Sequence, residues 1–403
     1  MVAHYLATGG DLDEAIRLAN AELPSRERTI RTEKTDLLAL APPAVFIAEP
    51  FERAITTDQP ALRLKAEAQS FNRLPVEKIW VAVNGRRPDE GGMIRLDDDS
   101  RARLDVGLEL SPGENHVAVY ARNRHSRSEP EVVIVTRTSA RASRRPNLYL
   151  LAIGVSEYAN PAYNLSFAHK DAQAVTNILR GQQGKLYGRV ESRCLADAEA
   201  NREGVLAGLE WLTEASTQRD VAVIFLAGHG MKERGHYYFL PHDVDTRRLR
   251  VTGVRWSEFE HTFQDIPGTR WLLADTCRSG GITGKRATIP RDAGDMTDAL
   301  RALKAVEGGV VVMSASTGQE ASLESPQWRH GAFTKALIEG IGEEGRADHD
   351  GDGRVDIKEL DLYLTDRVKE LTKGKQHPMT EIPRMMSNFP VAIVAKKAQE
   401  KGG

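Results

Sequence analysis

The stretch "VAVIFLAGHG", residues 221–230, runs an unbroken apolar segment into Gly228, His229 and Gly230. Polar residues do not alternate along it, so it predicts a strand buried on both faces. Three more runs share that character: "LYLLAIGV" (148–155), "RWLLAD" (270–275) and "GVVVMSA" (309–315). Helical patterns lie between them. In "NREGVLAGLEWLTEA" (201–215), Asn201 stands as an N-cap, and Val205, Leu206, Leu209 and Leu212 fall on one helix face. Such strands alternating with helices predict an α/β fold, a mostly parallel sheet flanked by helices. Ligands on these sheets bind beyond the carboxyl ends of the strands. The polar strand ends "LAGHG" and "LADTCRSGG" both fall there, on loops at one edge of the sheet.

Upstream, residues 43–136 carry the other periodicity. "ALRLKAEA" alternates at Leu62, Leu64, Ala66 and Ala68, and "RLDVGLEL" at Leu104, Val106, Leu108 and Leu110. Asn84-Gly85 after "IWVAV" reads as a hairpin turn, and Pro112-Gly113 as another turn. Short strands at this spacing predict a β-sandwich of immunoglobulin-like type. Residues 137–146, rich in arginine and serine, read as a linker to an α/β domain at 147–396, and residues 1–42 as a helical segment. The abrupt start suggests a piece of a longer protein.

The 403 residues exceed what one core usually serves. A net charge of −2 argues against a nucleic-acid footprint across the chain. No stretch approaches a membrane span, and the N-terminus lacks a signal peptide's apolar core. Two cysteines build neither a disulfide framework nor a Cys-rich zinc site, so the expected setting is reducing and cytoplasmic.

One of those cysteines, Cys277, ends a predicted strand, as His229 ends another. A thiol needs activation to attack a carbonyl, and a histidine within hydrogen-bond reach supplies it and then protonates the leaving amine. The N–H groups of Gly230 and Cys277 are candidates for an oxyanion hole. Cys194 has no such context and reads as structural.

"FLAGHG", followed about 50 residues later by "DTCRSGG", resembles the caspase-like cysteine peptidases: caspases, metacaspases and their bacterial relatives. The resemblance spans roughly 147–396 and takes in "LYLLAIGVSEY", "LSFAHKDAQAV" and "MSASTGQEASLESPQWRHGAFTKALIEGI". It implies a Cys–His peptidase acting on protein or peptide substrates. After the nucleophile the chain mixes two patterns: Arg278 looks like the caspase one, Ser279-Gly280 like the metacaspase one. By likeness to metacaspases, Asp171 and Asp275 occupy the positions that receive the side chain before the cut, the P1 residue. Two carboxylates favour exposed arginine, then lysine, and repel aspartate. Read without that likeness, Asp171 is a helix N-terminal carboxylate and Asp275 a loop brace. The resemblance also places the edge that holds substrate backbone at Ser314, Ala315 and Ser316. Chains of this family are processed between the nucleophile and the next strand, here the loop at 281–301, where Arg286 and Arg291 are candidate sites for self-cleavage or for an upstream protease.

"DHDGDGRVDIKE" (348–359) fits a calcium loop, with Asp348, Asp350, Asp352, Asp356 and Glu359 as oxygen ligands and Gly353 at the turn. Calcium is thus an expected cofactor, though the peptidase chemistry requires none. The other reading of the loop is a set of carboxylates capping the next helix. Two alternatives accompany the peptidase: a calcium-responsive scaffold with an inactive caspase-like fold, and a peptidase that cuts after aspartate.

Overall fold

The computed structural model describes residues 41–395 apart from 73, 86–92, 96–98, 112, 139–144, 279–298, 301–302, 304–305, 307–308, 317–319, 321, 384–385 and 387. The expected helical segment falls almost wholly outside these residues, as do most of the linker and of the 281–301 loop with Arg286 and Arg291.

The alternating region folds as two four-stranded sheets facing each other. One runs in the order β1 (Ala44–Glu49), β3 (Ala61–Gln69), β6 (Arg101–Glu109), β5 (Met93–Arg95); the other in the order β2 (Ala54–Thr57), β8 (Glu131–Arg137), β7 (Gly113–Arg122), β4 (Lys78–Val83). Leu64 pairs with Val106 and Ala66 with Leu104, so the predicted apolar set of each strand lands on one inner face. Asn84 and Gly85 do turn with φ of 52° and 78°. They do not close a hairpin, however: β4 pairs with β7, and β5 with β6 in the opposite sheet. The dipeptide fixes the local turn but not the partner of the strand that follows.

The second region is a sheet in the order β10 (Val190–Ala196), β9 (Leu148–Gly154), β11 (Val221–Glu233), β14 (Thr269–Arg278), β15 (Val311–Ser314), β19 (Met379–Glu381). All pairs are parallel except β15 with β19. Strand β12 (His236–Phe239) adds to β11, and β13 (Val254–Arg255) to β12, both antiparallel. Five helices serve the argument: α1 (Ala168–Arg180), α2 (Arg202–Ala215), α3 (Trp256–Asp265), α4 (Ala332–Ile341) and α5 (Ile357–Thr372). Leu148, Leu150 and Ala152 pack with Val175 of α1, Phe333 of α4 and Leu360 of α5. Tyr149, Leu151 and Ile153 pack with Leu209 of α2 and Phe259 of α3. Both faces of the sheet are covered, which explains why its strands show no alternation. The side chain of Asn201 caps α2, accepting from Gly204 N–H at 2.8 Å, as expected.

Helix α1 lies unusually close on β9. A methyl group on Gly154 would meet Ala168 O at 2.3 Å and Ala172 Cβ at 2.8 Å. That contact sets the height of α1, and with it of Asp171, above the sheet. Gly154→Ala should therefore lift the helix and lower unfolding stability by about 1–3 kcal/mol, read from urea midpoints; an unchanged midpoint would show that α1 is not held by this contact.

Candidate active site

The sequence predicts loops at "LAGHG" and "LADTC", but the strands continue through both. Strand β11 runs on to Glu233 and β14 to Arg278. What ends there is β9, which follows β11 only as far as the pairing of Gly154 with Ala227. Its last rung is Val155 N–H to Ala227 O, 3.0 Å. From Gly230 onward β12 takes the vacated side of β11. His229 sits in the gap between departing and arriving strands, the topological switch point of the sheet.

The gap fixes the imidazole. Tyr158, just beyond β9, accepts the His229 backbone N–H at 2.9 Å and lays its ring 5.3 Å from the imidazole centroid. His229 Nε2 lies 2.9 Å from Tyr163 O. A carbonyl only accepts, so Nε2 carries the proton and Nδ1 keeps a lone pair. Nδ1 is buried and has no hydrogen-bond partner among the described residues. Burial lowers the pKa of the ring to about 4, so it is neutral across the physiological range. Tyr163 is itself held in a short turn, Pro161–Tyr163, that the side chain of Asn160 caps.

Across the ladder, the residue in register with His229 is Cys277. Gly230 is in register with Arg278 on one side and Phe239 on the other, so it lies within a sheet rather than on a turn. It is glycine because a Cβ there would fall 1.7 Å from the Tyr237 hydroxyl. Cys194 lies half-buried on β10, and burial pushes its thiol up.

The two predicted acids converge. Asp171 is not the helix cap: in the first turn of α1, His169 N–H donates to Ser156 Oγ at 3.0 Å, and Glu324 holds the two residues before the helix, accepting from Ser166 N–H and Phe167 N–H. Asp171 instead accepts from Gly331 N–H at 3.1 Å and makes a 2.7 Å contact with His330 Nδ1. Asp275 does brace, though it braces a helix rather than a loop: its Oδ2 accepts from Thr334 Oγ1 at 2.8 Å and Thr334 N–H at 3.3 Å, in the first turn of α4. A methyl group on Gly331 would lie 2.6 Å from Asp275 Oδ2 and 3.3 Å from Asp171 Oδ2, so both carboxylates face one point. Burial raises Asp171 to about 8, and burial together with the charge of Asp171 raises Asp275 to about 7. Sequence reading missed Tyr158, Tyr163, Glu324, His330 and Thr334. His330 lies 159 residues from the carboxylate it touches, and no periodicity marks it.

Ser314, Ala315 and Ser316 are all buried. Along Val312–Ser314 the outer edge of β15 is taken by β19, with Ser314 opposite Met379. Ala315 N–H donates to Ala274 O, and Ala315 O accepts from the buried Gln376. An added strand therefore has no open ladder at Ser314, because the chain's own strand fills it.

The acidic loop divides its five carboxylates between the two readings. Asp348, Asp350 and Asp352 bring one oxygen each within 4.8 Å of one another, a set able to coordinate a divalent cation. Asp348 is buried and accepts from Gly351 N–H and Gly353 N–H. Asp356 and Glu359 form a capping box on α5, while Glu359 Oε1 also accepts from His349 N–H at 3.0 Å. Strand β18 (Arg354–Asp356) within the loop pairs with β20 (Pro390–Ile393).

Residues 148–390 match the family described as "Caspase domain". No curated protein matches the chain. Among solved structures, it is similar to a protein from Geobacter sulfurreducens at 15% identity and a TM-score of 0.44, over 62% of this chain and 100% of that one. It is also similar to the filamin domain of Lin-41, at 11% identity and a TM-score of 0.17, over 24% of this chain and 99% of that one. A titin I-band fragment gives 17% identity and a TM-score of 0.18, over 29% of this chain and 40% of that one. Among the described residues, no helix is long and apolar enough to cross a membrane.

The two acids make a prediction for stability. Unfolded aspartate titrates near 3.9, and both carboxyls are raised in the fold, so the folded state binds protons more tightly. Stability should therefore fall as pH rises from about 4 to about 8. Asp171→Asn with Asp275→Asn should remove that loss, on the order of 3 kcal/mol between the two ends. Urea unfolding at both ends measures it, and a slope equal to wild type would mean that the acids are not buried together.

Proposed function

The chain belongs to the caspase-domain family, and from that premise we propose that it is a cysteine endopeptidase with a His229–Cys277 dyad that cuts after arginine and, less well, lysine. The observation that carries the reading is the pairing of His229 with Cys277 across β11 and β14, together with the Nδ1 of the neutral imidazole, which has no partner among the described residues. In this mechanism Nδ1 takes the thiol proton, and sulfur attacks the scissile carbonyl to form a tetrahedral intermediate. The N–H groups of Gly230 and Cys277 are the proposed oxyanion donors. The imidazolium then protonates the leaving amine, and water hydrolyses the thioester with His229 again as base. Tyr163 O keeps the correct ring nitrogen protonated throughout.

The convergence of Asp171 and Asp275 supports a basic P1 side chain. A guanidinium entering there would draw both carboxyls back to their ionised form and can meet them with paired N–H donors. Substrates are thus proteins or peptides with accessible arginine or lysine. Processing after Arg286 or Arg291, by the chain itself or by another protease, belongs to the same reading. The sandwich is proposed to be immunoglobulin-like, and the protein to be cytoplasmic.

The donor set of the acidic loop fits calcium, a hard cation that prefers carboxylate oxygen. Asp348, Asp350 and Asp352 would hold it, with Asp356 and Glu359 completing the loop after release from capping α5. Bound calcium would neutralise the loop's charge and take no part in the peptidase chemistry.

Two predictions test these readings. A peptide library scanned at P1 should be cleaved after arginine, then lysine. Cys277→Ala should abolish cleavage and His229→Ala should come within about tenfold of that loss, since the pair acts as a unit. New N-termini after Arg286 or Arg291 should vanish in Cys277→Ala if the chain processes itself. Near-wild-type turnover in either dyad variant, or a preference for P1 aspartate, would overturn the proposal. Calcium should raise the melting temperature by mass action, and the double variant Asp348→Ala, Glu359→Ala should lose that response; an equal response would exclude the loop as the site.

A further inference from the structure

His330 stands where a simple acidic pocket would have nothing. Its Nδ1 is 2.7 Å from Asp171 Oδ1, and the next residue, Gly331, donates its N–H to the other oxygen of the same carboxylate at 3.1 Å. Three residues further on, Thr334 holds Asp275. One short segment, His330 to Thr334, thus grips both acids. A contact of 2.7 Å between an imidazole nitrogen and a carboxylate oxygen requires a proton between them. With a single proton, a neutral ring donates from Nδ1 to an ionised Asp171 and the pair carries one negative charge. A second proton makes the pair neutral, as imidazole beside an acid or imidazolium beside a carboxylate, and leaves no net negative charge to draw a cation.

The surroundings decide how firmly the pair keeps its protons. Asp275 of β14 and Glu324 of β16 (Glu324–Ser325) face it with negative charge. Lys170 of α1, Arg329 in the turn and Lys335 of α4 face the imidazole with positive charge, and burial lowers its pKa further. Desolvation acts oppositely on the carboxyl and raises Asp171. The ring side chain is 22% exposed and that of Asp171 3%, so the imidazole is the pair's route to solvent.

We propose that His330 is a specificity-determining residue of this pocket: it shares a proton-holding site with Asp171, and a guanidinium entering between Asp171 and Asp275 expels one proton through the ring. This rests on the basic-P1 reading above. The pair before binding is His330 and Asp171 with two exchangeable protons between ring and carboxyl. Afterwards the ring keeps one, donated from Nδ1 to an ionised Asp171, and the other leaves to solvent. A neutral side chain of the same shape supplies no charge to replace the proton. Discrimination between arginine and its neutral isostere citrulline therefore depends on pH, through His330.

The test is calorimetric binding to the full chain carrying Cys277→Ala, which leaves peptides uncut. The probes are one otherwise uncharged hexapeptide with arginine at P1 and its citrulline counterpart. Buffers of different ionisation enthalpy count the protons released. The arginyl peptide should release about one proton near neutral pH, and the citrulline peptide none. In His330→Asn, the amide nitrogen occupies the place of Nδ1 and still donates to Asp171, but it cannot take up a proton. Release should then fall by more than half, and the midpoint of the affinity–pH curve should move down by about one unit. His330→Gln, also untitratable, provides a second variant, and melting curves decide which of the two retains the fold. Equal proton release in the folded variant, or none in the unsubstituted pocket, would overturn the role of His330 while leaving the basic pocket intact. Equal affinity for arginyl and citrulline peptides at every pH would remove the pocket reading and this proposal together.

Discussion

The register of β11 on β14 is the constraint on which the rest depends. Residues 221–230 pair one-for-one with 269–278 without a bulge. Both strands are apolar on both faces, so a slip of one residue would exchange every side chain between the α1–α4–α5 core and the α2–α3 core. Phe225 and Trp271 are fully buried in the first of these, Ile224 and Leu272 in the second. The cores differ in shape, and large residues cannot change places without strain. Packing far from the strand ends thus fixes which two residues meet at them, and those are His229 and Cys277.

A second consequence concerns β9. If β9 ran as far as β11, its next residues would take the His229 N–H that Tyr158 accepts. β9 instead leaves after Gly154, and the chain it contributes next supplies Tyr158 and Tyr163. The segment that opens the gap therefore also orients what lies in it. One cost is the buried Nδ1, which has no partner among the described residues. Unpaired buried groups are uncommon and concentrate at functional sites.

Fold class was legible because burial on two faces leaves a distinct pattern from burial on one. The unbroken runs at 148–155 and 221–228 and the alternation at 61–68 each gave the architecture they suggest. Strand ends were less legible. Gly228 and Gly230 both look like turn residues, yet only Gly228 takes a positive φ, of 154°, while Gly230 makes room for the ring of Tyr237. Sequence does not separate a glycine needed for conformation from one needed for space. The partners of the two acids were illegible for another reason. Asp171 resembles an ordinary first-turn carboxylate, and only the return of the chain at His330–Gly331 shows that it is held from elsewhere while Ser156 accepts from the first turn of α1.

That substitution of roles has a physical logic. An aspartate that caps its own helix is solvated and stabilised by the helix N–H groups, and it stays ionised. With the first turn of α1 served by Ser156 instead, Asp171 turns inward to meet Asp275, and both rise toward neutral pH. Burying two acids opposes folding, and the compensation comes from α4, whose first turn donates to Asp275 while the residue before it donates to Asp171. The other end of α4 leads into the acidic loop, where Asp348 is held by Gly351 and Gly353 and β18 is held by β20. A ten-residue helix anchored at both termini cannot rotate to relax either one. The placement of the two acids is accordingly set by the packing of Phe333, Ala336 and Leu337 against the sheet, and the carboxyls accept the positions that this packing leaves them.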